Sequence, residues 1–226
     1  MSTIAQNLQR VETRITSACQ GAGRERASVR LLAVSKTFGA LEVRLAHAAG
    51  QRAFGENYIQ EGVDKIQALQ DLALEWHCIG PVQSNKTRLV AAHFDWVHSI
   101  DRLKTAERLS AQRPASLPPL QVCIQVNLDG GENKSGVAPD QALALAEAVA
   151  VLPHLQLRGI MTIPEPAENE LAARAVHHQA KDLFDALNAA GLNVDTLSMG
   201  MTGDLEAAIA EGSTCVRVGT AIFGQR

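Results

Sequence analysis

The stretch VRLLAVSKTFGALEVRLAHAAGQRAFG, residues 29–55, decides the fold class of this chain. Its first part, residues 29–36, is an apolar run typical of a buried strand. A helical pattern over residues 40–49 stops at Gly50, because glycine suits a helix end, and residues 52–55 are predicted to form a second strand. A strand, a helix and a strand in succession indicate two parallel strands joined by a crossover.

The same unit repeats along the chain. Further strands are predicted at residues 76–80, 96–100, 120–126, 155–161, 196–199 and 214–218. Helices are predicted at residues 4–19, 58–69, 85–92, 101–112, 141–151, 168–190 and 205–210. Eight strands with a helix in nearly every gap favour an α/β fold, a single (β/α)8 TIM-type barrel with an extra N-terminal helix.

An open doubly wound sheet is the rival architecture. Such a sheet usually carries a GxGxxG turn after its first strand, whereas the corresponding turn here reads SKTFG. No break in composition and no linker interrupts the pattern. We therefore expect residues 1–226 to form one barrel domain.

Composition excludes several classes of protein. The chain has 226 residues, 46% of them hydrophobic, and a net charge of −3. A sizeable core is therefore expected, but no nucleic-acid or membrane surface. The N-terminal segment has no apolar signal region, and no stretch approaches 18 consecutive apolar residues. Four cysteines without a CxxC pair, and histidines without metal-ligand spacing, favour a cytoplasmic protein with reduced thiols and no metal.

Lys36 is the sharpest candidate for chemistry. It directly follows LLAVS and is therefore predicted to lie at the C-terminal end of the first strand, where barrels build their active sites. Partial desolvation at the mouth of an apolar core would favour the neutral amine, which attacks an aldehyde to form a Schiff base. The alternative is a solvated lysine at the start of a loop.

The segment SMGMTGDLEAAIAEGSTCVRVGTAIFG, residues 198–224, is the second candidate. Barrels often bind phosphate in the loops after strands seven and eight, and glycines allow the backbone to approach closely. Here those loops contain Gly200 and Gly219, with hydroxyl groups on Ser198, Thr202 and Thr220. Ordinary turn chemistry is the competing interpretation, with Thr202 as the N-cap of the helix at 205–210.

Other polar residues have weaker signals. Arg217 lies in an apolar strand, so it must find a partner or point into the site. Asn57, Tyr58, Gln83 and Asn85 lie on loops predicted at the same end of the barrel, where each equally suits a helix cap. His77 and His98 fall in strands and are read mainly as structural. Lys134 belongs to a loop, residues 129–136, interpreted as a mobile surface segment.

Six motifs together resemble those of a known family, the pyridoxal phosphate homeostasis proteins of the YggS/PROSC type. In chain order they are LLAVSKT, FGENYIQE, WHCIGPVQSNK, NKSG, LSMGMTGDLEAAI and VRVGTAIFG.

The resemblance implies a barrel of the alanine racemase N-terminal type, known as fold type III among pyridoxal phosphate (PLP) proteins, that binds PLP as a Schiff base on Lys36. It also implies that Arg217 faces the pyridine nitrogen, that Asn57 lies near the ring, and that the loops after strands seven and eight hold the phosphate. The implied cofactor-binding residues are Lys36, Asn57, Ser198, Met199, Gly200, Thr202, Arg217, Gly219 and Thr220. The family usually has serine where this chain has Thr202, so the hydroxyl is kept.

The resemblance also bears on activity. An arginine beside the pyridine nitrogen keeps it unprotonated, which makes the ring a weaker electron sink. Racemases of this fold add a β-domain that supplies a second acid/base residue, and we expect no such domain because the sequence ends at Arg226, shortly after the last predicted strand. We therefore expect a PLP-binding protein that takes part in intracellular PLP homeostasis and has little or no catalytic turnover.

Two alternatives remain open. A PLP-dependent amino-acid racemase would need a second base, for which Tyr58 is the only tyrosine in the chain. A Schiff-base aldolase acting on a sugar phosphate would form its imine with substrate and would be colourless when purified. For the homeostasis protein we expect a monomer, with apo PLP-dependent enzymes as possible acceptors of the cofactor.

Overall fold

A computed structural model describes residues 3–130 and 135–225, and in it eight parallel strands form a closed barrel. Each strand pairs with its neighbour in sequence, and β8 closes the barrel against β1. The predicted (β/α)8 barrel is confirmed. The strands are β1 (Arg30–Val34), β2 (Ala53–Glu56), β3 (Glu75–Cys78), β4 (Trp96–Ile100), β5 (Leu120–Val126), β6 (Leu155–Thr162), β7 (Thr196–Ser198) and β8 (Cys215–Val218).

Helices follow the strands around the barrel. They are α1 (Ile4–Gly21), α2 (Ala40–Ala48), α3 (Ile59–Ala68), α4 (Thr87–His93), α5 (Leu103–Gln112), α6 (Ala142–Ala150), α7 (Glu170–Ala189), α8 (Leu205–Ala210) and α9 (Thr220–Phe223). The extra N-terminal helix is α1, which begins with a capping box between Thr3 and Gln6. Within the described ranges, no helix is both long and apolar enough to cross a membrane.

Most element boundaries match the predictions to within two residues, and the differences arise where the chain leaves the regular pattern. The strand predicted at 76–80 runs from Glu75 to Cys78, because residues 79 and 80 are apolar but lie beyond the ladder. A short 3-10 turn, Pro139–Gln141, precedes α6, so the helix predicted from residue 141 begins at Ala142. The helix α9 was not predicted, since four residues give no readable period.

Alternate residues of the strands separate two layers of core. In β1, Leu31 and Ala33 belong to the large cluster that also contains the buried helix residues. Leu32 and Val34 belong to a smaller cluster made only of strand and loop residues, which fills the barrel interior. Leu32 pairs in register with Arg217 of β8, so the arginine also faces the interior.

Candidate functional site

Lys36 lies two residues beyond the end of β1, at the C-terminal end of the barrel. Its side chain, with Thr37 and Phe38, lines a cavity of about 310 Å³ whose opposite wall includes Gly219 and Thr220. The structure therefore brings together two features predicted from distant parts of the sequence. The prediction that Lys36 is partly desolvated is wrong. The last buried residue of this segment is Ser35, and the side chain of Lys36 is exposed at the open cavity.

A second lysine near this site, Lys65, has its ammonium protons engaged in hydrogen bonds. Lys65 of α3 is 5% exposed, and its Nζ donates to the carbonyl of Ser35, to Glu56 Oε1 and to Glu61 Oε1, each at 2.7 Å. An ammonium group has three protons, and all three are used. Lys36 is therefore the nucleophilic candidate of the two lysines.

Arg217 is a buried cation that points into the barrel. Its Nη1 donates to Ser198 Oγ at 2.8 Å and its Nη2 to the carbonyl of Thr162 at 2.7 Å. Burial lowers the pKa of the guanidinium. No carboxylate of residues 3–130 and 135–225 forms an ion pair with it. A buried charge without a counter-charge is costly, so this group is suited to a ligand atom that accepts its remaining protons.

A row of hydrogen bonds runs from Arg217 through the barrel interior and fixes its position. Ser198 Oγ lies 3.0 Å from His98 Nδ1, and His98 Nε2 lies 2.9 Å from His77 Nδ1. His77 Nε2 lies 2.7 Å from Glu75 Oε1 near the opposite end of the barrel. Burial alone would raise the pKa of Glu75, but His77 and Arg30 lower it to about 2.

The two ends of this row determine the direction of every bond in it. Arg217 only donates and the Glu75 carboxylate only accepts. With both imidazoles neutral, Ser198 donates to His98, His98 Nε2–H donates to His77, and His77 Nε2–H donates to Glu75. Burial lowers the pKa of both histidines, which agrees with neutral rings. The two histidines are thus structural, as predicted, but they also support Arg217 through Ser198.

Unpartnered polar atoms mark the same end of the barrel. Asn57 follows β2, and its Oδ1 is buried with no hydrogen-bond partner among the described residues. The hydroxyl of Thr162, at the end of β6, is in the same situation, and the carbonyl of that residue is bound by Arg217. Because buried polar atoms in proteins nearly always have partners, these two atoms suit contacts with a bound molecule.

The glycines after β7 and β8 keep the backbone free of side chains where the packing is closest. Gly200 has φ +91°, and a Cβ there would lie 2.5 Å from the Cβ of Ala208. A Cβ on Gly219 would lie 3.1 Å from the carbonyl oxygen of Val34 in β1. Gly200 therefore depends on glycine for both its φ and its packing, whereas a side chain at Gly219 would be tightly packed. The predicted approach of these loops to a phosphate stays a prediction.

The loop after β7 is organised differently from the prediction. Thr202 is not the N-cap of α8; that position belongs to Asp204, whose Oδ1 accepts from the Met201 N–H at 2.6 Å. His177 of α7 lies 3.0 Å from the other oxygen of Asp204 and supports it. Thr202 lies two residues before this cap, and its carbonyl accepts from Arg14 of α1 at 2.9 Å.

The other residues of the predicted loops lie in different environments. Met199 packs in the outer core, and its N–H and carbonyl are bound to Cys215 and Ser213. Met201 and Gly203 line a different, larger cavity of about 590 Å³ between the loops after β6 and β7. Tyr58 is exposed at the start of α3, and Lys134 lies outside the described residues.

Sequence reasoning missed two arrangements at this site, the charged group around Lys65 and the hydrogen-bonded row through His98. The acidic and basic residues around Lys65 had a weak signal, a glutamate and a lysine four residues apart on one helix face. In the row through His98, every member except Glu75 was a candidate from the sequence. Nothing in the sequence indicated that they bind one another, because the row joins residues of four strands, β3, β4, β7 and β8. Among the described residues, no group of three metal-ligating side chains is assembled.

Comparisons with known proteins agree with this geometry. The sequence profile of the alanine racemase N-terminal domain matches residues 3–226. The pyridoxal phosphate homeostasis protein of Pseudomonas aeruginosa is 60% identical over 226 residues, covering 100% of this chain and 97% of that protein.

Solved structures extend the comparison. PipY of Synechococcus elongatus, solved with PLP bound, has a TM-score of 0.86 and 36% identity, covering 98% of this chain and 100% of that one. Alanine racemase of Corynebacterium glutamicum has a TM-score of 0.70 and 20% identity, and the match covers 99% of this chain and 61% of the racemase. The likeness to the racemase concerns the fold alone.

Proposed function

This chain belongs to the alanine racemase N-terminal domain family and, within it, groups with the pyridoxal phosphate homeostasis proteins, and from that membership we propose that it binds pyridoxal 5′-phosphate covalently on Lys36. The binding step joins Lys36 Nζ to the aldehyde carbon of PLP as a Schiff base, with loss of one water. The bound protein then takes part in keeping the intracellular concentration of free PLP within limits.

One observation carries the assignment. Arg217 is a buried cation without a carboxylate partner in the described structure, and it faces the interior of the barrel at the end that carries Lys36. A pyridine nitrogen is a neutral acceptor that suits such a donor. PipY of Synechococcus elongatus, which is 36% identical to this chain, is a similar protein solved with PLP bound.

Each remaining predicted residue receives a role in this proposal. Gly219 and Thr220, which share the cavity with Lys36, contact the phosphate with backbone N–H groups and a hydroxyl. Asn57 contributes its unpartnered Oδ1 near the ring. The end of β7 and the loop that follows it support the phosphate side, through Ser198, Met199, Gly200 and Thr202.

We also propose that the chain has little or no catalytic turnover. PLP acts in enzymes as an electron sink, which is strongest when its ring nitrogen is protonated. Arg217 opposes that protonation because it is itself a donor held by Ser198 and Thr162. A racemase would need a second base, and Tyr58 is exposed at the start of α3 and unsuited to that role.

Three further expectations are part of the proposal. We propose a single-domain monomer in the cytoplasm, where its four cysteines stay reduced; all four are free and buried. Apo PLP-dependent enzymes are proposed as acceptors of the cofactor.

The decisive experiment is absorbance of the purified protein, followed by borohydride reduction and peptide mapping. We expect a yellow protein whose reduced pyridoxyl group maps to Lys36. Lys36→Ala should lose the adduct while its circular dichroism is unchanged, because Lys36 is exposed and makes no core contact. Lys104→Ala, at an exposed position on α5, is the matched control.

A colourless protein that stays unmodified after addition of PLP would overturn the proposal and favour a sugar-phosphate aldolase. Incubation with single-enantiomer alanine tests the absence of turnover. Sustained exchange of enantiomers at an enzyme-like rate would show that the chain is a racemase.

A further inference from the structure

Lys36 lies between two residues whose backbones are bound to the same group of charges. On one side, the Ser35 carbonyl accepts from Lys65 Nζ at 2.7 Å. On the other, the Thr37 N–H donates to Glu61 Oε1 at 2.5 Å. Lys65 joins the two contacts, because it also donates to Glu61 and to Glu56. We refer to Glu56, Glu61 and Lys65 as the acid–lysine triad.

Thr37 adopts an unfavourable backbone conformation at this point. Its φ is +70°, in the left-handed region that β-branched residues rarely occupy. Strain of this kind persists only where the surroundings enforce it, and it is concentrated at functional sites. The bond from Thr37 to Glu61 is a restraint of that type, since it holds the amide that follows Lys36.

The triad is poorly suited to a purely stabilising role. Glu56 is fully buried and Lys65 is 5% exposed, and the desolvation of such charges offsets most of their attraction. One oxygen of Glu56 is left without a hydrogen-bond partner in the described structure. The other accepts from Ser35 Oγ at 2.6 Å as well as from Lys65. The contacts of the triad therefore converge on Ser35 and Thr37, the two residues that flank Lys36.

We infer that the acid–lysine triad positions Lys36 for covalent binding of PLP, with Glu61 holding Thr37 in its left-handed conformation and Lys65 holding Ser35. The inference rests on the proposed function. Glu56, Glu61 and Lys65 are positioning residues, because Lys65 has no free proton or lone pair for chemistry. Glu61 acts through the Thr37 N–H, and Glu56 acts through Lys65 and the Ser35 hydroxyl. Without the triad, the Lys36 side chain would sample orientations away from the cavity.

The test measures the rate and affinity of PLP binding to apo protein by absorbance, with borohydride trapping and mapping. Glu61→Ala should bind PLP about tenfold more weakly, and the adduct should form more slowly. Glu61→Gln keeps an oxygen that accepts from Thr37 and should remain close to wild type. Asp64→Ala removes an exposed carboxylate of the same helix and is the matched control. Glu61→Leu, which keeps most of the side-chain volume, replaces Glu61→Ala if that variant does not fold.

Thr37→Gly separates positioning from general stability. Glycine adopts positive φ without steric cost, so in the Glu61→Ala background it should restore most of the lost affinity. Equal binding by Glu61→Ala and Asp64→Ala, or no recovery in the double variant, would overturn the inference. A wild-type protein without an adduct on Lys36 would instead remove the proposed function itself, and the inference with it.

Discussion

The row of bonds from Arg217 to Glu75 predicts that the fold weakens in mild acid. His77 and His98 are both neutral in this row, and burial lowers the pKa of each, that of His98 far below its usual value. In the unfolded chain each imidazole regains a pKa of about 6.5. Below that pH the unfolded chain binds protons that the folded chain does not. The free energy of unfolding therefore falls as the pH decreases from about 6.5 towards the lower pKa values of the folded state.

The magnitude follows from the number of buried rings. Each one costs about 1.4 kcal/mol per pH unit once the pH is well below 6.5. Integrated to pH 5, this is about 2 kcal/mol for His98, whose pKa lies well below its usual value. His77 adds a loss of the same sign, because burial lowers its pKa as well. Since domains of this size are stable by about 5–15 kcal/mol, the loss is a large fraction of the total.

Urea unfolding of the apo protein between pH 7.5 and 5, followed by circular dichroism, measures this loss. His98→Gln keeps a donor towards His77 and an acceptor towards Ser198, and it should reduce the acid-dependent loss by about 2 kcal/mol. The control is His154→Asn, an exposed loop position with φ +62° that asparagine tolerates. Equal losses in wild type and His98→Gln would refute the assignment of neutral, buried rings.

Further predictions concern the cofactor, the loop after β7 and the acid–lysine triad. Arg217→Glu should allow the bound PLP ring to be protonated, so transamination of alanine should rise above the wild-type rate, and an unchanged rate would contradict the proposed role of Arg217. Gly200→Ala should lower the free energy of unfolding by about 1–3 kcal/mol, since a Cβ at φ +91° meets Ala208; an unchanged melting temperature would contradict the packing. Lys65→Met leaves the buried Glu56 carboxylate without its cation and should cost about 3–5 kcal/mol in urea unfolding; a loss below about 1 kcal/mol would show that the triad is not coupled.

Local patterns were sufficient for the architecture. Alternating apolar strands and helical periods predicted eight βα units, and the barrel, its order and most boundaries follow from them. Position relative to a strand end was enough to single out Lys36, and the glycines at 200 and 219 were readable because their loops follow the last two strands. Very short elements such as α9 were not predicted, because four residues are too few to show a helical period.

The sequence by itself therefore determined the barrel, the end of the barrel proposed for binding and Lys36 as the candidate lysine there, because these follow from patterns of residues close in the chain. Only the tertiary structure decided which residues hold Ser35 and Thr37 beside Lys36, and which residues bind Arg217. His77, His98 and Ser198 meet because closing the barrel turns side chains of three strands into one interior. Likewise, the packing of α3 on β2 brings Lys65 to the backbone of Ser35. Such contacts leave no periodic signal in the chain, since hydrogen bonding across a barrel depends on distance in space and not on spacing in sequence.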